Sequence, residues 1–137
     1  MIDFIELLYR QHKQLRQRAE IMWNENNELH LTSSEWFVLK NIHEGYVTVP
    51  ELVKQLDISK QGVHKFIISL QDKGLITTEL KKESKVQKVS HLTVEGIDII
   101  NKSKKMELEI EKMVRGTIGE KEYEILLDML KKPLVRN

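Results

Sequence analysis

The sequence contains no cysteine, which excludes disulfides, thiol nucleophiles and sulfur-ligated zinc or iron–sulfur centres. No apolar run approaches the ~20 residues of a membrane span, and no signal-peptide core is visible. Internal repeats and low-complexity tracts are also missing. We therefore expect residues 1–137 to form a single domain that makes no contact with a membrane and is located in the cytoplasm.

Patterns typical of enzymes are missing as well: there is no Ser/His/Asp arrangement, glycine-rich phosphate loop or metal signature. Four histidines nevertheless suggest a metal hypothesis: His12, His30, His43 and His91. No two histidines are three or four residues apart, so two interpretations stay open, a zinc-sensing site or structural and surface histidines. We expect a protein that is not an enzyme and that needs no cofactor.

Acidic charge is scarce only in the middle of the chain, although the net charge is just +1. Residues 1–58 carry six basic and nine acidic side chains, and residues 93–137 carry nine of each. Residues 59–92 carry seven lysines against three acidic residues. A local positive field of this kind favours a polyanionic partner.

Apolar residues in the first 25 positions recur at helical intervals, with Ile5, Leu8 and Leu15 among them. This periodicity predicts a long amphipathic helix. Asn24, Asn26 and Asn27 should end it, because asparagine side chains compete with helical backbone bonds.

Three later helix starts carry a capping box, in which a threonine is followed three residues later by a glutamate. The pairs are Thr32 with Glu35, Thr48 with Glu51, and Thr117 with Glu120. They predict helices from about 33 to 43, from 49 to 56 and from 118 to 131.

A fourth helix should begin after Ser59, a cap candidate, and end at Gly74. Its apolar residues have the spacing of one buried face: Val63, Phe66, Ile67 and Leu70. The opposite face carries hydrogen-bonding and basic side chains: Lys60, Gln61, His64, Lys65 and Ser69. The helix has no acidic residue before Asp72.

After Gly74 the period becomes that of β-strands, over residues 75–78 and 86–90, and the intervening segment is rich in lysine. This predicts a hairpin with a basic tip. Thr93 then caps a helix from Val94 to about Arg115, which is too long for so small a domain to cover. We expect this helix to meet a partner chain.

The predicted fold class is mainly α with a small antiparallel β-hairpin, in the order of a winged helix-turn-helix. Four segments resemble the MarR family of transcription regulators: Leu31–Trp36, Ile58–Lys65, Leu70–Ile76 and Leu92–Gly96. The resemblance covers nearly the whole chain.

This resemblance implies a homodimer held together by helices within residues 1–30 and 93–137, with residues 31–92 forming a DNA-binding winged-helix lobe. A recognition helix at about 59–73 would enter the major groove of double-stranded DNA, and a basic wing at about 79–86 would lie against the minor groove. The implied function is a sequence-specific regulator, typically a repressor, that binds a pseudo-palindromic operator. Many members of the family are released from DNA by a small-molecule effector.

Roles for single residues follow from their chemistry. Gln61 and His64 suit base edges, and Lys60 and Lys65 suit phosphates. The remaining predicted contacts are Ser59 and Thr48 at helix N-termini, Gly62 at a point of close approach, and the wing lysines Lys81, Lys82 and Lys85. Pure helix capping by Ser59 and Thr48 is an equally open interpretation, compatible with a phosphate role.

Two features depart from the pattern of the family. The family's wing usually carries an arginine, and its nearest equivalent here is Lys85, one residue farther from Leu92. An ammonium holds its water more tightly than a guanidinium does, so we expect weaker minor-groove readout. Gly62 replaces a small polar residue that the family often carries.

The sequence leaves two further alternatives open. A winged helix can also serve as a protein–protein interaction module without specific DNA binding. Trp23, Trp36 and Phe37 either pack in the core or line a ligand pocket between the dimerisation helices and the DNA-binding lobe.

Overall fold

A computed structural model of the chain describes residues 3–81 and 87–136. Its elements are α1 Phe4–Asn26, α2 Ser33–His43, α3 Val49–Leu56, α4 Lys60–Asp72, β1 Ile76–Leu80, β2 Lys88–Leu92, α5 Val94–Ile118 and α6 Glu120–Leu130. The predicted fold class, helices with one antiparallel hairpin, is confirmed. Within the described ranges, no helix is long and apolar enough to cross a bilayer.

Four of the predicted caps are present. The hydroxyls of Thr32, Thr48, Ser59 and Thr93 each accept a hydrogen bond from the amide three residues later. At α2 and α3 the glutamate completes the capping box. These bonds satisfy amides that the first turn of a helix leaves free, so the local sequence fixes where each helix begins.

The predicted end of α1 is also confirmed. Asn26 donates from its amide to the Met22 carbonyl, and Asn27 donates to the Trp23 carbonyl, both within 2.9 Å. At Trp23 the Asn27 side chain thereby replaces the backbone donor that a continuing helix would have supplied.

The capping box predicted at Thr117 is wrong. Thr117 lies inside α5, where its hydroxyl donates to the Met113 carbonyl, and the helix continues to Ile118. Gly119, with φ 103°, provides the break, and α6 starts without a side-chain cap. Glu120 accepts a hydrogen bond from Arg115 at 2.7 Å, and this ion pair uses the carboxylate that a capping box needs.

The hairpin lies slightly beyond the predicted strands. Ile76 pairs with Leu92 and Leu80 pairs with Lys88, so the observed β1 and β2 extend two residues past the predicted C-terminal ends. The bounds differ because the register in which β1 and β2 pair decides where each strand ends. The strand propensity of a single segment carries no information about this register. Ser90 also donates its backbone N–H to the Val47 carbonyl at 2.9 Å, which ties the hairpin to the start of α3.

One hydrophobic core connects α1 to α5 and the hairpin. Its most completely buried side chains are Val38, Leu39, Leu52, Val63, Leu70 and Leu75. Gly96 brings α5 against the hairpin, since a Cβ at this position would lie 2.1 Å from the Leu75 carbonyl oxygen. The core therefore fixes α4 relative to α2 and α3 and leaves its opposite face in solvent.

Candidate nucleic-acid interface

A tight turn joins α3 to α4. Asp57 adopts a left-handed conformation with φ 49°, and Ser59 then caps α4. Gly62 fits beneath this turn, because a Cβ there would lie 2.7 Å from the Ile58 Cγ2 atom. The packing of the turn is thus sufficient to account for this glycine, and close approach to DNA stays a prediction.

The outer face of α4 is exposed to solvent. Lys60, Gln61, His64 and Lys65 are all exposed, and none of their side chains forms a hydrogen bond or ion pair with another residue in ranges 3–81 and 87–136. The first turn of α4 contains no acidic side chain to offset its positive dipole end. The structure therefore brings four of the predicted contacts, Lys60, Gln61, His64 and Lys65, onto one exposed helix face with free donors and fixed positive charge, next to the predicted contacts Ser59 and Gly62.

A groove of about 670 Å³ runs beside this face, between α4, the start of α3 and the hairpin. Lys60 and His64 line one wall, and Lys88 of β2 lines the other. Sequence reasoning missed Lys88, although the two-residue period of a β-strand places it on the same face as Ser90, and both residues line this groove. Gln71 donates to the Thr78 hydroxyl at 2.9 Å and so sets the hairpin against α4.

The other predicted DNA contacts lie outside this helix face. Thr48 is buried, and its hydroxyl and backbone N–H both bond to the Glu51 carboxylate, so its capping role is confirmed and its phosphate role stays a prediction. Lys81 is exposed after β1. Lys82 and Lys85 lie outside the described residues.

The C-terminal end of α4 is anchored to α2 by a buried carboxylate. Glu35 is 3% exposed and accepts hydrogen bonds from the Ser69 hydroxyl at 2.6 Å and from Lys73 Nζ at 2.8 Å. The Thr32 amide donates to the same carboxylate at 2.9 Å. Sequence reasoning identified Glu35 only as a capping residue, since its partners on α4 are 34 and 38 residues away.

Burial alone raises the pKa of Glu35. The hydrogen bonds that the carboxylate accepts and the positive charge of Lys73 outweigh this effect, so the pKa lies below the usual 4.5. Glu35 is therefore ionised at neutral pH, and the contact between α2 and α4 is an ion pair.

A second cavity, of about 360 Å³, lies between α1, the start of α2 and α5. Its walls include Trp23, Trp36 and Phe37. Trp23 also belongs to the core and Trp36 packs against it, which confirms core packing for these two, while a ligand-binding role for the three aromatics stays a prediction. Trp36 has a buried Nε1–H with no acceptor among the described residues. Arg16 donates hydrogen bonds to the hydroxyls of Ser33 and Ser34 and forms no ion pair with any residue that the structure describes.

An ion pair between Lys40 and Glu107 forms part of the wall of this cavity. Lys40 Nζ lies 2.7 Å from Glu107 Oε1 and 4.8 Å from the ring centroid of Trp36. Over residues 3–81 and 87–136, no group of three or more histidine, aspartate or glutamate side chains could hold a metal ion. The cavity wall thus combines aromatic side chains with the unpartnered Trp36 Nε1–H donor.

No protein-family model and no curated protein sequence matches the chain. Solved structures do. Wild-type MarR from E. coli in its apo form superposes with a TM-score of 0.86 at 18% identity, over 98% of this chain and 99% of that one. MepR from S. aureus, in complex with DNA, gives a TM-score of 0.76 at 18% identity, over 96% of each chain.

Bordetella bronchiseptica BpsR, from a study of how 6-hydroxynicotinic acid regulates its DNA binding, gives a TM-score of 0.76. It is 16% identical, over 94% of this chain and 91% of that one. All three neighbours are transcription regulators of the MarR family. Together with the geometry above, the superpositions establish that this chain has the winged helix-turn-helix fold of the MarR-family regulators.

Proposed function

We propose that the protein is a dimeric, sequence-specific DNA-binding transcription regulator that acts as a repressor. The observation that carries this proposal is the outer face of α4, which presents exposed, uncommitted donors and two lysines. Such a helix, packed against a hairpin with further lysines, has the dimensions and charge to enter the major groove. MepR, which shares the fold, has been solved in complex with DNA.

Roles on the face follow from position and chemistry. Gln61 lies in the first turn of α4, and its amide can both donate to and accept from an adenine edge. His64 follows one turn later and can donate to a guanine edge. Lys60 and Lys65 flank these two residues and bind phosphates, together with the free amides at the N-terminus of α4.

The wing supplies the outer part of the footprint. Lys81 and Lys88 are both exposed at the loop end of the hairpin, where Leu80 pairs with Lys88. Lys82 and Lys85 belong to the same predicted wing, where Lys85 takes the place of the family's minor-groove arginine. Because all four contacts are lysines, we expect the wing to contribute affinity through phosphates more than sequence readout.

Dimerisation is proposed from apolar side chains at the two ends of the chain. Ile5 is 77% exposed and Tyr9 is 61% exposed on α1, while Met129 and Leu130 are more than half exposed at the end of α6. Such exposure is unfavourable in an isolated subunit and indicates a surface covered by a second copy. Two recognition helices ~34 Å apart would then read a pseudo-palindrome.

A small-molecule effector is proposed for the cavity between α1, α2 and α5. Its volume is in the range of ligand sites, and the Trp36 indole N–H lacks an acceptor. Because α2 also anchors α4 through Glu35, a molecule in the cavity would bias the orientation of the recognition helix. The test is a screen for compounds that release DNA, using Trp36→Phe as the control; equal release from both proteins would contradict this assignment.

The experiment for DNA binding is selection from genomic fragments with the purified protein, followed by a salt titration on the enriched sequence. We expect an enriched pseudo-palindrome, which the Gln61→Ala/His64→Ala variant no longer selects. The control is Gln17→Ala/His43→Ala, which changes the same residue types at exposed positions of α1 and α2.

Two results would contradict the proposal. A folded dimer that selects no sequence at low salt, or whose affinity is insensitive to salt, would instead indicate a protein–protein interaction module. Light scattering on the same sample would show whether its mass is twice that of the chain, as the proposed dimer requires.

A further inference from the structure

An isoleucine stands in the middle of the otherwise polar face of α4. Ile68 is 58% exposed, whereas the adjacent Ile67 is 7% exposed and belongs to the core. Ile68 is not part of the core or of the apolar side chains that pack against it. Its exposure on a face built for polar contacts is therefore a feature that the fold itself does not require.

Helical spacing places Ile68 on the same stripe as the proposed base-reading residues. Counted from Lys60, the stripe continues at i+1, i+4 and i+5, and Ile68 is at i+8. A rise of ~1.5 Å per residue puts Ile68 about 12 Å along the helix from Lys60. This distance corresponds to about three to four base-pair steps of ~3.4 Å, so one stripe can follow one stretch of the major groove.

The surroundings of Ile68 favour a nucleic acid over a protein partner. Lys60, His64 and Lys88 line the same groove as Ile68, and no acidic side chain lines it within the described part of the chain. In the major groove the base edges offer donors, acceptors and one apolar group, the 5-methyl of thymine. A branched hydrocarbon side chain complements only this last group.

We infer that Ile68 is a specificity-determining residue that contacts the 5-methyl group of a thymine in each half-site. This inference deepens the proposed DNA-binding function and rests on it. Gln61 and His64 would read polar edges near the N-terminus of α4, while Ile68 would select thymine farther along the same groove.

The experiment uses the full-length protein and its selected DNA sequence, with each thymine replaced in turn by deoxyuridine, which lacks only the methyl group. At one thymine per half-site we expect the wild-type Kd to rise about fourfold, the equivalent of ~0.8 kcal/mol at ~1.4 kcal/mol per tenfold change. Ile68→Ala should bind the thymine and deoxyuridine forms equally. The matched control is Ile21→Ala, an isoleucine of similar exposure on α1, which should keep the full response to the methyl group.

Several outcomes would overturn the inference while leaving the proposed function intact. The first is specific binding that ignores every thymine-to-deoxyuridine replacement, and the second is an Ile68→Ala variant that still responds to the methyl group. A change in oligomeric state caused by Ile68→Ala, without a change in methyl sensitivity, would assign the residue to a protein contact instead. If no sequence is selected at all, the proposed function fails, and this inference fails with it.

Discussion

Two glutamates in equivalent capping boxes should differ strongly in what they contribute to stability. Glu35 and Glu51 each occupy the third position of a helix and bond back to a threonine cap. Only Glu35 also reaches α4, through Ser69 and Lys73. Replacing each glutamate with alanine therefore separates the capping contribution from the link between α2 and α4.

The magnitude follows from the contacts. A lost capping interaction costs about 1 kcal/mol. The Ser69 hydroxyl donates to a buried carboxylate, a kind of bond that contributes about 1.5 to 3 kcal/mol. The ion pair with Lys73 adds about 1 kcal/mol, because 28% of the Lys73 side chain is exposed and water screens the pair. We expect Glu35→Ala to lower the free energy of unfolding by about 4 kcal/mol and Glu51→Ala by about 1 kcal/mol.

The assay is equilibrium unfolding in denaturant at neutral pH, with a double-mutant cycle between Glu35→Ala and Lys73→Ala. Equal losses for the two glutamate variants, or a coupling energy of zero in the cycle, would contradict a stabilising link between α2 and α4 through Glu35. The pH dependence gives a second check. Since the folded pKa of Glu35 lies below 4.5, its contribution should be complete above about pH 4.5 and should disappear as the pH falls through the folded pKa.

The remaining predictions concern the hairpin contact, the phosphate contacts and α6. Gly96→Ala should destabilise the fold by about 3 kcal/mol or more in thermal unfolding, because its methyl group would overlap backbone. Gly116→Ala, with open space around it, should instead be stabilising by about 0.5 to 1 kcal/mol. Lys60→Ala and Lys65→Ala should each reduce the salt slope of DNA binding by about 1.8 in a dimer, measured by fluorescence anisotropy. Arg115→Ala should accelerate amide exchange in α6 and leave the exchange of α4 unchanged.

Each of these predictions has an outcome that would contradict it. Equal effects of the two glycine variants would show that the close approach of α5 to the hairpin does not matter for stability. An unchanged salt slope would remove the two lysines from the phosphate contacts. Exchange in α4 that quickens together with α6 would mean that the Arg115 cluster supports the whole subunit.

The features that the sequence predicts correctly are those that depend on residues close together in the chain. The caps at Thr32, Thr48, Ser59 and Thr93 depend on atoms three residues apart, so the sequence contains all the information that they require. Thr117 has the same local pattern and fails, because Arg115 competes for the same glutamate from inside α5. A second partner does not by itself abolish a capping box, since the Glu35 carboxylate serves both its cap and α4. At Glu120 the carboxylate bonds to Arg115, and Gly119 provides the break between the helices.

Some features of the candidate site could likewise be predicted from the sequence, and others could not. The exposed face of α4 could be predicted, since helical spacing decides which side chains share it. The anchor at Glu35, the groove beside Lys88 and the cavity could not, because each joins residues far apart in the chain. The cavity also depends on three helices meeting, which periodicity within a single helix does not describe.

The first turn of α2 contacts both the wall of the cavity and the C-terminal end of α4. Ser33 is bonded to Arg16 and to Glu20 of α1 at the wall of the cavity, while Glu35, one half-turn later, holds the end of α4. In the proposed regulator, this shared turn couples the two sites, so an effector that weakens DNA binding must itself bind less tightly when operator DNA is present. The operator would then act as an antagonist of its own effector, by the same factor in both directions.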